Sequence, residues 1–535
     1  MKRQLRLPLL LVVLFTVLMS LPFLVNGLGW TALVGLVPLL CLERIASQTG
    51  MRRFWWWHYG AFVLWNAVTT FWVCNATVGG GIFAVLANSL QMSLVFGAFR
   101  WVKRRQGGVL PYLFLAAAWI AWERWYLTLS QISWPWLVLG NAFAGTPGLI
   151  QWYEYTGTLG GSLWVWAVNL ALFGLMVAFS DGSWGRWNGK ARVAAIAASV
   201  LVLFAPMAAS AVIWNRCGTD GEKLEVVIAQ PNIDPYNKFG GMTQAQQNAI
   251  LCEQFEEAMD GRDTLSPVLL LAPETFTADI VTNAIPESAT YQSFLSFLQA
   301  HPAANLLFGA STWEYFPGPA RPSVTARRLR DGRWVESHNS ALILDGTGRC
   351  DLFHKSKLVV GVEQTPYPAF FTKIDDMLGG VMGRCVGQKE ISLLPVRAAG
   401  RDIPVGCAVC YESVYGEYCT GYVRKGARVL TVITNDAWWG DTPGYRQHLN
   451  YSRLRAIETR RDIARCANTG ISAFIDRRGT VRSRTAWWTP ATLEGSVTLS
   501  DTQTFFVRHG DIPGRLCVLV AGLLLLAALF RPRKK

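Results

Sequence analysis

Seven apolar runs near membrane-spanning length crowd the first 215 residues, and an eighth closes the chain. A helix needs about 20 apolar residues to cross a bilayer. The runs lie near 7–26, 28–45, 58–78, 82–99, 109–127, 159–180 and 193–214, and the last is Leu516 to Phe530. That last run has 15 residues. At about 1.5 Å per residue it covers roughly 22 Å, so it needs its flanks or a thinned bilayer. Two borders are soft, so seven and eight spans both fit the pattern. A soluble single domain and a disordered chain are both excluded.

Charge orients the spans, because short loops rich in Lys and Arg stay in the cytoplasm. Lys2, Arg3 and Arg6 open the chain; Arg44, Arg52 and Arg53 follow the second run; Arg100, Lys103, Arg104 and Arg105 follow the fourth. Arg186, Lys190 and Arg192 follow the sixth, and Arg531, Arg533, Lys534 and Lys535 end the chain. The loops between carry almost no charge. Both termini are therefore expected inside and residues 216–514 outside. The first run has a signal peptide's basic start and apolar core. No small-residue cleavage site follows, so it is read as an uncleaved helix.

The net charge of +14 belongs to the ends. Residues 1–215 hold 14 Lys/Arg against 4 Asp/Glu, and 515–535 hold 5 against none. Residues 216–514 hold 31 against 32, which argues against nucleic acid as a partner. Three segments follow: a transmembrane part over 1–215, a globular part over 216–514 and a C-terminal helix with a basic tail over 515–535.

From Lys223 short β-rich runs alternate with polar helical stretches, the mark of an α/β sandwich with a mixed or parallel sheet. Strands are expected at Leu224–Ala229, Val268–Ala272, Leu306–Ala310, Ser340–Leu344, Ile403–Val409 and Val429–Thr434. Asp345 to Gly348 reads as a hairpin turn. Helices are expected over Thr243 to Met259 and Arg446 to Cys466.

Sites in such folds form at strand ends. Glu274 follows the Val268–Ala272 strand, Lys355 follows the hairpin, and Cys410 ends an apolar run. A free thiol is only a few per cent thiolate at neutral pH. A carboxylate can take its proton. An ammonium and the Tyr411 backbone N–H can hold the oxyanion formed on attack at a carbonyl. Together these parts make acyl transfer through a thioester. Taken singly, each of the three is ordinarily structural, and a Cys is often merely buried.

Pro273-Glu274-Thr275, His354-Lys355-Ser356-Lys357-Leu358-Val359 and Cys410-Tyr411-Glu412 resemble the nitrilase superfamily, whose catalytic set is Glu–Lys–Cys in this order. The flanking spans narrow the resemblance to the apolipoprotein N-acyltransferase family. Gln230 to Ile233, Asn339-Ser340-Ala341, Asn435 to Asp441, Arg465 to Gly470 and Trp134 to Leu137 also match it. The resemblance implies an α-β-β-α nitrilase-like domain beside a multi-pass helical membrane domain. It implies that Cys410 takes an acyl chain from a glycerophospholipid, typically phosphatidylethanolamine, and passes it to the α-amine of a diacylglyceryl-cysteine apolipoprotein. Glu274 is then the proton acceptor and Lys355 the oxyanion stabiliser. Glu363, Glu412, Tyr411 and Asn339 support them, and no cofactor or metal is used. Lys357 is the competing lysine, and the motif selects Lys355. Three carboxylates (Glu274, Glu363 and Glu412) would repel one another unless Lys355 lay among them.

Two departures stand out. The family often reads Leu-Val-Pro-Phe-Gly-Glu where this chain has Leu358-Val359-Val360-Gly361-Val362-Glu363. A family tryptophan after the first strand has no counterpart, and Tyr236 or Phe239 fills its place. These two, with Trp438 and Trp439, are candidate lipid contacts. Cys407 and Cys410 form a lone C-x-x-C, too little for a metal or redox centre. Eight of eleven Cys fall between Cys217 and Cys466, where an oxidising compartment allows pairing, although Cys410 should be free. Rival readings are a membrane-tethered amidase hydrolysing a small amide and a non-catalytic scaffold. The expected location is the bacterial inner membrane, as a monomer. A fluorescent protein that matures only in the cytoplasm, fused after Lys535, is expected to fluoresce. Protease added to spheroplasts is expected to cut within 216–514, and protection of that region would reverse the orientation.

Overall fold

The computed structural model describes residues 2–262, 266–377, 383–398 and 400–531. Arg533, Lys534 and Lys535 lie outside the described residues, as do the side chains of Lys2 and Arg3. Six described helices are long and apolar enough to cross a membrane: Arg6–Leu24, Gly29–Thr49, Val78–Lys103, Tyr153–Ser180, Gly189–Arg216 and Ile512–Leu529. The other two expected runs are helices too. Phe54–Thr70 has only 17 residues, and Leu110–Thr128 carries Glu123 and Arg124 near its end. Their inner faces, with Phe62, Trp65 and Trp119, are buried in the bundle.

Where the bundle breaks a helix, it supplies partners, because backbone groups inside a membrane need internal hydrogen bonds. The second span is interrupted at Leu36. The backbone N–H groups of Leu36 and Val37 donate to Asn169 Oδ1 at 2.8 and 3.1 Å. Asn169 Nδ2 in turn donates to the Ala32 carbonyl at 2.8 Å.

Among the described residues the globular part has fifteen strands. They are β1 Lys223–Gln230, β2 Val268–Leu271, β3 Thr277–Val281, β4 Ala304–Phe316, β5 Arg327–Arg328, β6 Trp334–Asp345 and β7 Cys350–His354. After them come β8 Val396–Ala398, β9 Arg401–Ile403, β10 Val405–Val409, β11 Val429–Thr434, β12 Ile463–Ala467, β13 Ala473–Ile475, β14 Val481–Arg484 and β15 Ala491–Thr498. The first sheet runs β15-β1-β2-β4-β6-β5, with β3 on β4 and β7 on β6. The second runs β10-β11-β12-β13-β14, and β8 and β9 pair alone. Both sheets are mixed: β1, β2 and β4 are parallel neighbours, as are β10, β11 and β12. One apolar core joins Val226, Leu269 and Ile343 of the first sheet to Val405, Val432 and Ala464 of the second. The outer face of the first sheet packs on helices Gln244–Met259 and Ala289–Ala300. Thus two sheets lie face to face with helices outside, the α-β-β-α sandwich expected.

Two elements differ from the sequence expectation. The run Ile403–Val409 is split at Pro404, which has no N–H to give a ladder. The stretch Arg446 to Cys466 is a helix only as far as Thr459 (Pro443–Thr459). Arg460 takes a left-handed backbone, φ 51°, and the chain turns into β12.

β2, β10 and β11 end on one edge of the sandwich, and β7 brings Lys355 to it. Gly309 on β4 lets the Glu274 turn approach. A Cβ there would lie 2.5 Å from Glu274 Cα, 2.6 Å from Thr275 N and 2.7 Å from the Pro273 carbonyl oxygen. Its own N–H donates to Pro273 at 3.1 Å, so the turn cannot retreat without losing that bond. Gly309→Ala is therefore expected to cost about 1–3 kcal/mol of stability, as overpacking does, and to displace Glu274. Denaturant unfolding and acyl-adduct formation on Cys410 measure the two effects.

Candidate active site

Glu274 sits in the turn after β2, beside Thr275, whose φ of 47° is unusual for a β-branched residue. One carboxylate oxygen accepts from Asn339 Nδ2 at 2.7 Å and from Lys355 Nζ at 2.9 Å. The other accepts from the backbone N–H of Asn435, at the end of β11, at 3.1 Å. Lys355 is 1% exposed. It also donates to Glu363 Oε1 at 2.8 Å, an oxygen that Asn339 Nδ2 reaches at 2.6 Å. The second Glu363 oxygen accepts from the Val359 backbone at 2.7 Å. The altered loop 358–363 therefore still delivers its carboxylate to the lysine. Burial works against the ammonium, but the Glu274 and Glu363 carboxylates outweigh it and hold Lys355 well above the ordinary lysine range.

Cys410 follows β10 at a left-handed turn, φ 51°, and opens the short 3₁₀ helix Cys410–Val414. Strained backbone of this kind gathers at functional sites. Burial, and then the Glu274 carboxylate, push the half-buried thiol well above its ordinary range, against the pull of Lys355 and the Thr434 hydroxyl. Thr434 Oγ1 is 3.1 Å from the sulfur.

Glu412 does not join the carboxylate cluster around Lys355. It accepts the backbone N–H groups of Ser356 at 2.6 Å, Lys357 at 3.2 Å and Val409 at 2.9 Å, and the hydroxyl of Tyr418 at 2.8 Å. The repulsion foreseen among three acids is thus avoided by backbone donors, which tie the lysine loop to the cysteine turn. Burial raises the Glu412 carboxyl above its ordinary value despite these bonds. Lys357 points elsewhere, its ammonium 5.3 Å from the Tyr415 ring centre.

Tyr411 turns toward the membrane helices. Its hydroxyl donates to the Ser133 carbonyl at 2.9 Å, and its ring stacks on Trp134. Trp439 is half-buried and packs against Trp72, Trp136 and His448. Trp438 is 40% exposed. Tyr236 and Phe239 lie in the short helix Pro235–Gly240, and their side chains are outside the described residues. All eleven cysteines are free thiols.

Four residues that sequence reasoning did not single out complete the setting. Thr434, Asp436, His448 and Arg465 are fully buried beside Cys410. Ligand atoms of Cys410, Asp436 and His448 lie within 4.8 Å of one another, a spacing a metal could use. Arg465 Nη2, however, is 2.7 Å from Asp436 and 3.1 Å from His448, so a guanidinium already neutralises the carboxylate. The available signal was Asn435 to Asp441 and Arg465 to Gly470, which matched the family without pointing to a role.

The fold and its Glu–Lys–Cys edge define a carbon-nitrogen hydrolase domain, and the carbon-nitrogen hydrolase family model matches residues 268–505. The model for the N-terminal domain of apolipoprotein N-acyltransferases matches residues 15–171. The chain is 28% identical to the apolipoprotein N-acyltransferase of Chlorobaculum tepidum over 515 residues, 95% of this chain and 92% of that protein. It is 27% identical to that of Geobacter metallireducens over 540 residues, 98% and 95% of the two chains. Among solved structures it is similar to Saccharomyces cerevisiae Nit3 of the nitrilase superfamily (TM-score 0.38, 14% identity, 55% of this chain and 95% of that one). The chain belongs to the apolipoprotein N-acyltransferase family. The amidase alternative is not favoured, because the match runs through the membrane half as well.

Because burial and the Glu274 carboxylate push the Cys410 thiol up, its alkylation by iodoacetamide is expected to be slow at about pH 7 and still rising at about pH 9. A plateau below about pH 8, read by mass spectrometry of the Cys410 peptide, would mean a preformed thiolate.

Proposed function

We propose that this enzyme moves an acyl chain from a glycerophospholipid, with phosphatidylethanolamine as the donor, to the N-terminal amine of S-diacylglyceryl-cysteine apolipoproteins. The observation that carries the mechanism is the Lys355 ammonium held between Glu274 and Glu363 on the edge where Cys410 follows β10. The acyltransferase family and the membrane helices on both sides of the domain support the substrate class.

In the first step Glu274 takes the Cys410 proton as the sulfur attacks the ester carbonyl carbon. Lys355 and the Tyr411 N–H hold the oxyanion. The C–O bond breaks, and the proton passes from Glu274 to the leaving lysophospholipid hydroxyl. In the second step the amine nitrogen attacks the thioester carbonyl. Glu274 takes the proton from the attacking nitrogen, the C–S bond breaks, and Glu274 passes that proton to the departing sulfur, which restores the thiol. Glu363 and Asn339 fix Lys355 and Glu274, and Glu412 fixes the loop carrying the lysine.

The catalytic segment 216–514 faces the periplasm, with 1–215 and 515–535 in the inner membrane. An odd number of spans before it, five by length and apolarity or seven with the two shorter helices, supports placing it opposite the N-terminus. Full-length protein in detergent, incubated with phosphatidylethanolamine, is expected to gain an acyl adduct on Cys410 that hydroxylamine releases. Cys410→Ala is expected to show none. Glu274→Gln is expected to slow its formation by about 10²–10⁴-fold, the range of a general base. Transfer to a diacylglyceryl-cysteine peptide completes the reaction. Release of fatty acid with no transfer would make the enzyme a hydrolase.

A further inference from the structure

Thr434 has one hydroxyl proton and two acceptors for it. Its Oγ1 lies 3.1 Å from Cys410 Sγ and 2.7 Å from Asp436 Oδ1. A hydroxyl donates once and accepts twice, so it cannot serve both at the same time. While Cys410 carries its proton, the S–H can donate to Thr434, which donates to the Asp436 carboxylate. Once the sulfur is a thiolate, an oxygen lone pair facing it is repulsive. The hydroxyl then has reason to turn and donate to sulfur.

The surroundings fit this exchange. Asp436 is fully buried and does not depend on Thr434, because Arg465 Nη2 donates to Oδ2 at 2.7 Å and His448 Nδ1 is 3.0 Å from Oδ1. It can release the threonine proton and remain paired. His448 also fixes the cysteine turn: its Nε2 is 3.1 Å from the Cys410 carbonyl oxygen and 3.0 Å from Ser413 Oγ. Ser413 Oγ donates to the same carbonyl at 2.7 Å. The sulfur, the hydroxyl and the carboxylate are therefore held in one row by groups that do not themselves reach the sulfur. Glu274 and Lys355 are the other charged groups that act on Cys410, and neither donates to it among the described bonds.

We propose that Thr434 is a further catalytic residue. Its hydroxyl points to Asp436 while Cys410 is a thiol and turns to the sulfur when Cys410 is a thiolate, with Asp436, His448 and Arg465 as positioning residues. The proposal rests on the reading of Cys410 as the nucleophile. It has a sign that plain structural support lacks. Removing the hydroxyl makes the thiolate harder to form. Weakening its competitor at Asp436 makes the thiolate easier to form, because both the rival acceptor and a nearby negative charge are lost.

The test uses full-length protein in detergent and follows alkylation of the Cys410 peptide by iodoacetamide across a pH series. Thr434→Val, Thr434→Ser and Asp436→Asn are compared with the wild type, with thermal unfolding of each. Thr434→Val is expected to shift the alkylation curve up by about one to two pH units, the size of a hydrogen bond to a charged group. At a fixed pH below the plateau that is a loss of about tenfold or more. Acyl-adduct formation from phosphatidylethanolamine is expected to slow in step. Thr434→Ser is expected to restore both, and Asp436→Asn to shift the alkylation curve downward. Wild-type alkylation in a folded Thr434→Val overturns the proposal, and so does an upward shift in Asp436→Asn. If Asp436→Asn does not fold, the valine–serine pair still decides. Alkylation needs no lipid, so a wild-type protein that forms no acyl adduct removes the nucleophile reading and leaves the thiol measurement of Thr434 intact.

Discussion

Lys355 is the charge on which the rest of the site depends. It is buried between two carboxylates, and burying an ion costs several kcal/mol unless each lone pair and proton is satisfied. Here they are satisfied by distant pieces of chain. Glu274 brings the end of β2, Asn339 brings β6, the lysine itself follows β7, and Asn435 brings the end of β11. The cluster therefore clasps the first sheet to the second at one edge. Breaking such a pair by removing one partner leaves an uncompensated buried charge, which is far more costly than never having built it. Placing the lysine and keeping the two sheets in register are the same requirement.

The second requirement is that this edge meet the membrane. Helix Pro443–Thr459 lies along the seam, and Gln447 joins the two parts by accepting from Trp136 Nε1 at 2.6 Å and donating to the Thr69 carbonyl at 3.1 Å. Tyr451 donates to the Trp136 carbonyl at 2.7 Å. Tyr411, next to Cys410, reaches Ser133. Glu458 accepts from the Thr158 backbone at 2.9 Å, close to Gly157, whose φ of 63° bends the long helix there. Tryptophans 72, 134, 136 and 439 pack into one aromatic cluster between the parts. The turn that carries Cys410 is thus bonded to the helical part at Ser133, next to the aromatic cluster.

Much of this was legible residue by residue. Apolar run length marked the membrane helices, although Phe54–Thr70 and Leu110–Thr128 fall short of the others in length or polarity. Alternation and strand ends marked β1, β2, β6 and β11 and placed Glu274, Lys355 and Cys410. The misreadings have local causes. Ile463–Ala467 carries Arg465 in mid-strand, so its polarity extended the preceding helical pattern into a buried parallel strand. Glu412 was grouped with the other acids because charge can be counted along a chain and backbone donors cannot. The packing partners of Trp439 were not legible, because the four-tryptophan cluster joins it to segments more than 300 residues away.

The sequence by itself determined the division into membrane and globular parts, the expected sidedness, the α/β class and the candidate trio of Glu274, Lys355 and Cys410. These follow from the composition, periodicity and motifs of short segments. The tertiary structure alone decided which carboxylate holds the lysine, that Glu412 serves the backbone, and that Thr434 stands between the sulfur and Asp436. Those bonds join residues from 2 to 81 positions apart. Hydrogen bonds act over about 3 Å, and the register of the sheets, rather than any local preference, sets which groups come within that reach.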